Sequence, residues 1–353
     1  PVIGRLSSSN TADSAIGFRV ALFIGQVSRP TSTLKLARDN QTQFDKTTEL
    51  EDDVGRTLVV PNGFKVSTDS NTVIDEGAVI EEVGTGNQFV WVPVDDPSTM
   101  FEEKTAKLTG VETTTNIYSK LRLREADKGE FSAGVPGTSG IREPDVLSSY
   151  DTDTQYYQDI LGFESTKEMA DSMVAEYKKM SDSVKKYYGF YIGRYELTGT
   201  VENPTVKAGD VLINSLSEAK DWYGLYKACQ DVIKDNTDVK STMIYGCQWD
   251  ETMSWLSRNG YNTDTDSSAW GNYSGSPINT GSNTKYKANE IFDLAGNYFD
   301  WTQEAYENDY DFRIFRGGHC YLSGSEYPAA DRYYSLPESY NESSTARVTL
   351  YIS

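Results

Sequence analysis

An α+β fold carrying much irregular structure is what this sequence predicts, and three observations predict it. Short apolar runs separated by turn residues fill positions 57–94, the pattern of antiparallel hairpins. Apolar residues recur at helical spacing over 169–184 and over 222–232. From Asn289 onward, aromatic residues and glycines dominate without a sustained period, as expected of surface loops held on a frame. With 37% hydrophobic residues among 353, the chain can bury the core of one large domain or two smaller ones.

The elements follow in order. Pro1-Val-Ile-Gly-Arg5 precedes a period-two strand, Gly17-Phe-Arg-Val-Ala-Leu-Phe-Ile24, and the same arrangement returns near the end as Pro328-Ala-Ala-Asp-Arg332 and Thr345-Ala-Arg-Val-Thr-Leu-Tyr-Ile352. Three readings of 1–25 stay open: the tail of another domain upstream, a strand that completes a neighbouring subunit, and a chance match. Residues 26–56 are polar, rich in Thr, Asp and Gln, and read as linker with an edge strand or two. The runs Leu58-Val-Val60, Phe64-Lys-Val66, Ala78-Val-Ile80 and Phe89-Val-Trp-Val-Pro-Val94 form strands, and Pro61-Asn-Gly63 and Gly84-Thr-Gly86 turn the chain between them. Residues 98–160 lack periodicity and read as an insertion of loops and short elements.

A capping box at Ser165 and Glu168 opens a helix whose core stripe is Met169, Met173, Val174, Tyr177, Met180 and Val184. Gly189-Phe-Tyr-Ile-Gly-Arg-Tyr-Glu196 follows as a strand. A second box, Ser215 and Glu218, precedes a helix with Trp222, Leu225, Tyr226, Cys229 and Val232 on one face, and the run Cys247-Gln-Trp-Asp-Glu-Thr-Met-Ser-Trp-Leu256 follows, a helix by the resemblance described below.

Charge and composition narrow the function. Acidic residues number 53 against 33 basic, and the net charge of -20 repels phosphate backbones and anionic headgroups, so nucleic acid and membrane insertion are not expected. No run approaches the roughly 20 apolar residues that cross a bilayer. Three cysteines, Cys229, Cys247 and Cys320, lie too far apart for a disulfide framework or a CxxC metal site. The single histidine, His319, leaves little material for transition-metal or imidazole-based chemistry.

Three phrases in the last part of the chain are more specific. They are Asn289-Glu-Ile-Phe-Asp-Leu-Ala-Gly-Asn-Tyr-Phe-Asp-Trp-Thr-Gln-Glu-Ala305, Phe315-Arg-Gly-Gly318 and Ala346-Arg-Val-Thr-Leu-Tyr-Ile352. Together with the strand 189–196 and the helix after Cys247, they resemble the formylglycine-generating-enzyme (sulfatase-modifying factor) type of the C-type lectin fold. More narrowly, they resemble the variable proteins diversified by retroelements. The resemblance implies a lectin-like domain over 57–353, with a variable region at about 298–345, a linker at 26–56 and a tail-like strand at 1–25.

What the resemblance implies for chemistry differs by branch. The name-giving enzymes bind copper through two cysteines after the Arg-Gly-Gly phrase. Here Cys320 follows Gly318 too closely and no second cysteine lies downstream, so neither that catalysis nor a redox cofactor is expected. The iron-dependent branch needs several histidines. A Ser/His/Asp set built from Ser323, His319 and Asp331 has no supporting spacing.

In this family the phrase from Asp293 to Asp300 corresponds to a loop that holds calcium. The resemblance implies a structural Ca2+ on these hard oxygen ligands; the alternative is that both carboxylates accept backbone hydrogen bonds.

Binding is the function the resemblance implies. Arg316, Gly317, Gly318, Ser323, Gly324, Ser325, Pro328, Ala329 and Arg332 match fixed frame positions. The exchangeable, ligand-binding positions are then Phe315, His319, Cys320, Tyr321, Leu322, Tyr327, Asp331, Tyr333, Tyr334, Leu336, Tyr340 and Asn341. An Asn codon randomised at its adenines cannot reach Lys, Gln, Met or Trp, and none of these occurs over 308–351. Glu326, Glu338 and Glu342 also lie outside the reachable set and must be fixed. Tyrosine gives large, rigid contact area at low entropic cost.

The expected partner is a protein or glycan ligand on another cell or virus, with self-association through the N-terminal strand as a further expectation. The expected location is extracellular, on a cell surface or virion. A structural subunit of a surface assembly and an uncharacterised enzyme on the same fold are the alternatives.

Overall fold

A computed structural model describes residues 32–101, 160–164, 166–214, 221–305, 313–337, 339 and 341–353. The expectations for 1–25, for most of the insertion, for the caps at Ser165 and Ser215 and for Tyr340 and Glu338 lie outside the described residues.

The described chain is mixed α+β with many irregular stretches. Its centre is a six-stranded sheet in the order β3-β4-β5-β6-β16-β9, every neighbouring pair antiparallel. The strands are β3 Phe64–Val66, β4 Ala78–Glu82, β5 Gln88–Pro93, β6 Gly189–Gly193, β9 Val239–Met243 and β16 Val348–Ile352. All five residues of β6 and all five of β16 are buried, so both faces of the sheet centre are covered and no polar alternation shows. Trp91 stands opposite Tyr191 across β5 and β6, with ring centroids 4.8 Å apart. Gly189 is required at the end of that contact, because a Cβ there would lie 2.2 Å from the Trp91 ring.

Helix α3, Thr166–Tyr187, packs on β6 and β16 through Met173, Tyr177, Met180 and Val184. Helix α4, Trp222–Asp231, covers β9 and starts where the Asp221 side chain accepts the Gly224 N–H at 2.9 Å. Helix α5, Gly246–Arg258, touches β5 and carries buried Trp249, Trp255 and Leu256.

Over 32–56, read as linker with an edge strand or two, the chain forms a strand and also a helix that this reading did not include. Helix α1, Thr33–Asp39, is capped by Ser32 and buries Leu34 and Ala37, while β1, Thr48–Glu51, pairs with β2, Thr57–Val60. Two apolar side chains anchor α1 against β3, and the rest of the helix is solvated. That is too few for a periodic signal.

The chain then adds a second, four-stranded sheet in the order β14-β13-β12-β15. Its strands are β12 Phe299–Ala305, β13 Arg313–Arg316, β14 Tyr333–Ser335 and β15 Ser344–Ala346. β12 and β15 run parallel, whereas β13 is antiparallel to both β12 and β14. β15 leads through Arg347 directly into β16, so the second sheet is tied covalently to the centre of the first.

Candidate binding surface

The second sheet carries the predicted frame. Trp301 of β12 faces Phe315 of β13 in register, both rings are fully buried, and their centroids lie 3.6 Å apart. Phe299 stacks on Phe315 at 5.4 Å and on Tyr333 at 5.7 Å, and it meets His319 edge-on at 4.8 Å. Tyr333 continues the stack to Tyr334 at 5.9 Å and receives the edge of Tyr327 at 6.1 Å. A ladder of rings thus climbs from the core through Phe299 to the edge strand β14. Tyr321, Tyr333 and Tyr334 end it in solvent, at 62%, 46% and 42% exposure.

Beneath this ladder the backbone is held by ion pairs. Arg332 gives Nε and Nη2 to the two oxygens of Glu304, each at 2.7 Å, and Nη2 also reaches Asp250 at 3.0 Å. Arg316 bonds Asp250, Glu304 and the carbonyl of Ala330. Trp249 of α5 donates its indole N–H to the Ala329 carbonyl at 3.0 Å. Two guanidiniums thus face two carboxylates in a buried cluster that pins 329–332 to α5 and β12. Gly246 makes room for it, since a Cβ there would fall 1.8 Å from Glu304 Oε1.

The turn after β13 is equally constrained. Gly317 and Gly318 sit at φ +87° and +72°, and the Tyr273 hydroxyl lies 3.1 and 2.9 Å from the carbonyls of Gly317 and Tyr327.

Two of the predicted ligand positions are corrected. Phe315 is wholly buried, because β13 lies between β12 and β14 and turns this ring down onto Trp301. Cys320 is 2% exposed, its N–H bonds the Asn297 carbonyl, and burial pushes its thiol up to about 11.

The other positions fall around the ladder. His319, Leu322, Tyr327, Asp331, Leu336 and Asn341 are half-buried, and Leu322 packs against the core. His319 Nδ1 accepts the Tyr321 N–H at 3.3 Å, and burial lowers its pKa from the usual value. Asn341 shapes its own turn, accepting from Ser343 N and Ser344 Oγ. Phe299 and Tyr273 are central to the surface, yet neither was among the expected site residues. Phe299 stands inside the recognised phrase and could have been found there. Tyr273 follows Trp270 by three residues in a Ser- and Gly-rich loop and gave no signal.

The loop from Asp293 to Asp300 leads into the start of β12, and its Gly296 N–H bonds the Gly317 carbonyl at 2.7 Å. Arg347 donates to Asp300 Oδ2 at 2.9 Å and to the carbonyls of Phe292 at 3.2 Å and Asp293 at 3.1 Å. Asp293 Oδ2 accepts from Thr280 and the Gly281 N–H, both at 2.9 Å. Oδ1 of each aspartate is buried with no hydrogen-bond partner among the described residues.

Burial pushes both carboxyls up to about 6, and it raises the neighbouring Glu196 as well. Glu196 in turn accepts from Asn297 Nδ2 at 2.6 Å. Among the described residues no group of three or more His, Cys, Asp or Glu side chains is placed to hold a metal ion. Nor is any described helix long and apolar enough to cross a membrane.

No family model matches the chain, and no curated protein does. Among solved structures the chain is similar to CarF, at 12% identity over 47% of this chain and 87% of that one, with a TM-score of 0.33. It is also similar to Treponema denticola variable protein 1, at 14% identity over 48% of this chain and 65% of that one, with a TM-score of 0.25. At such scores the likeness is a finding and supports no further step.

Proposed function

We propose that this chain is a C-type lectin-fold protein of the formylglycine-generating-enzyme type, and that it binds a protein or glycan ligand through a diversified C-terminal surface. The observation that carries the reading is the ring ladder. Its last members, Tyr321, Tyr333 and Tyr334, are exposed, while Phe299, Trp301 and Phe315 beneath them are packed ring on ring and Arg316 and Arg332 are held by buried ion pairs. Exposed aromatic area of this kind marks an interaction site, and a rigid base lets the tips change without loss of the fold. The partner would lie on another cell or virus, and the chain would act outside a cell or on a virion.

The function is non-catalytic in this reading. Cys320 is buried with a raised pKa, and His319 has its imidazole nitrogen engaged by the backbone.

Randomising Tyr321, Tyr333 and Tyr334 together in a displayed library tests the proposal. Most members should remain folded by protease resistance, and binders to unrelated proteins should be selectable. A library that is mostly unfolded, or one that yields no binders, would overturn it. In the surrounding DNA, the expected companion is a reverse-transcriptase gene with a template repeat that differs over codons 310–350 only at adenines.

A structural calcium at Asp293 and Asp300 belongs to the same proposal, supported by the buried Oδ1 atoms of these two aspartates, which lack a hydrogen-bond partner among the described residues. Calcium should then raise the melting temperature and EDTA should lower it. If neither moves it, Arg347 alone is the cation of this loop.

A further inference from the structure

The charge around the ladder is one-sided. Residues 259–283 contain no lysine or arginine, and from 288 to 353 there is no lysine at all. The four arginines of that last stretch, Arg313, Arg316, Arg332 and Arg347, are all buried. His319 adds no charge near pH 7, since burial moves it below its usual range. The same segments expose the carboxylates of Asp266, Glu326 and Glu342 and half-expose Asp264 and Asp331.

Asp264, Asp266, Glu326 and Asp331 lie on the segments that carry or flank the rings, and Glu342 precedes Ser343, whose carbonyl accepts the Phe299 N–H at 2.8 Å. Ser267 N–H bonds the Gly324 carbonyl and Ala330 N–H bonds the Thr263 carbonyl, so the loop with Asp264 and Asp266 is laced to the turn that carries Glu326. Glu326 precedes Tyr327 in the chain, and the Tyr327 ring meets Tyr333. The hydrogen bonds from Ser268 hold Asp266 below the usual carboxylate range, so it is charged at neutral pH.

We propose that this face takes a cationic protein partner, a surface or peptide presenting arginine or lysine side chains. The inference rests on the recognition reading above. A guanidinium gains by lying on the exposed faces of Tyr333 and Tyr334, and the surrounding carboxylates complement its charge. No exposed cation of these segments opposes it. The acidic residues also differ in kind from the rings. Tyrosine is reachable from an adenine-randomised Asn codon but glutamate is not, so Glu326 and Glu342 stay constant while the aromatic tips change. The rim would set the charge class of the partner and the tips would choose among its members.

The test uses the whole chain and two measurements. A random peptide library is first panned on it, and each enriched peptide is checked against Tyr333→Ala/Tyr334→Ala. The enriched peptides should be rich in Arg and Lys and should lose at least tenfold in affinity on that variant. Enrichment of neutral or acidic peptides that still need the tyrosines would overturn this proposal and leave the recognition surface standing. Peptides indifferent to the tyrosines would overturn both.

Labelled octa-arginine is the second probe, because a chain of net charge -20 attracts polycations everywhere. Glu326→Gln/Glu342→Gln should weaken its binding at least fivefold, whereas the charge-matched Glu49→Gln/Glu76→Gln, on exposed sites elsewhere, should change it less than twofold. Equal losses in the two double variants would mean diffuse attraction and no cation-selective face. Glycan binding that depends on the tyrosines, with no peptide enriched, would also refute it.

Discussion

The six-stranded sheet and the aromatic face solve the same problem, fixing a backbone, by opposite means. In the sheet, β5, β6 and β16 are fixed by apolar burial on both faces and by ladders of main-chain hydrogen bonds. Over 317–332, regular pairing is absent, and the chain is fixed by side chains reaching for its carbonyls: Arg316 to Ala330, Trp249 to Ala329, Tyr273 to Gly317 and Tyr327. The first scheme couples sequence to fold at nearly every residue, because both faces are covered. The second couples it only at a few anchors, and so frees the residues between them.

That contrast can be broken at its anchors. Trp301→Ala removes a fully buried ring from the shared base and should cost about 3–5 kcal/mol, seen as a large drop in denaturation midpoint. Glu304→Ala leaves Arg316 and Arg332 short of a buried partner and should cost about 3–5 kcal/mol, although it touches no apolar contact of the sheet. If Glu304→Ala were neutral, the arginine cluster would not be what holds the face.

A pH titration sharpens the comparison at the start of β12. Asp293 and Asp300 stand near 6 in the folded chain, above the value near 4 expected when unfolded. A raised folded pKa means stability that is present below pH 4 and lost as pH rises through 6. From pH 5 to pH 7 the wild type should therefore lose stability relative to Asp293→Asn, by on the order of 1–3 kcal/mol. Parallel curves for the two proteins would show that Asp293 does not titrate in this range. The smallest effect belongs to the tips: Tyr321→Ser and Tyr334→Ser should each shift stability by less than about 0.5 kcal/mol in chemical denaturation.

How much of this was legible follows from the same two schemes. Periodic burial gave away β2 to β5, α4, and α3 through Met173, Tyr177, Met180 and Val184, because each buries several apolar side chains at regular spacing, whereas β6 and α5 were read from the family resemblance. Helix α1 stayed hidden with only Leu34 and Ala37 to show for it. At the surface, Tyr321, Tyr333 and Tyr334 were legible as exposed tips, but Phe315 was not legible as core. Position between frame residues does not say which way a side chain turns, and only the register of β13 between its two neighbours decides it. The arginine cluster was half legible: Arg316 and Arg332 stood out as fixed, yet their partners Asp250 and Glu304 lie on other elements, beyond the reach of any local pattern.

The parallel pairing of β12 with β15 has a consequence for how such a chain can grow. Phe299, Asp300 and Trp301 stand in parallel beside Ser344, Thr345 and Ala346, so the stretch between them leaves past the end of β12 and crosses back to enter β15 beside the start of β12. It behaves as a cassette. Lengthening its tip at 319–327 would stretch no strand and shift no register, and doubling the length of such a loop costs only about 0.6 kcal/mol in closure entropy. The scaffold could thus accept new shapes by insertion as readily as it accepts new side chains by substitution, with the same anchors holding a longer reach.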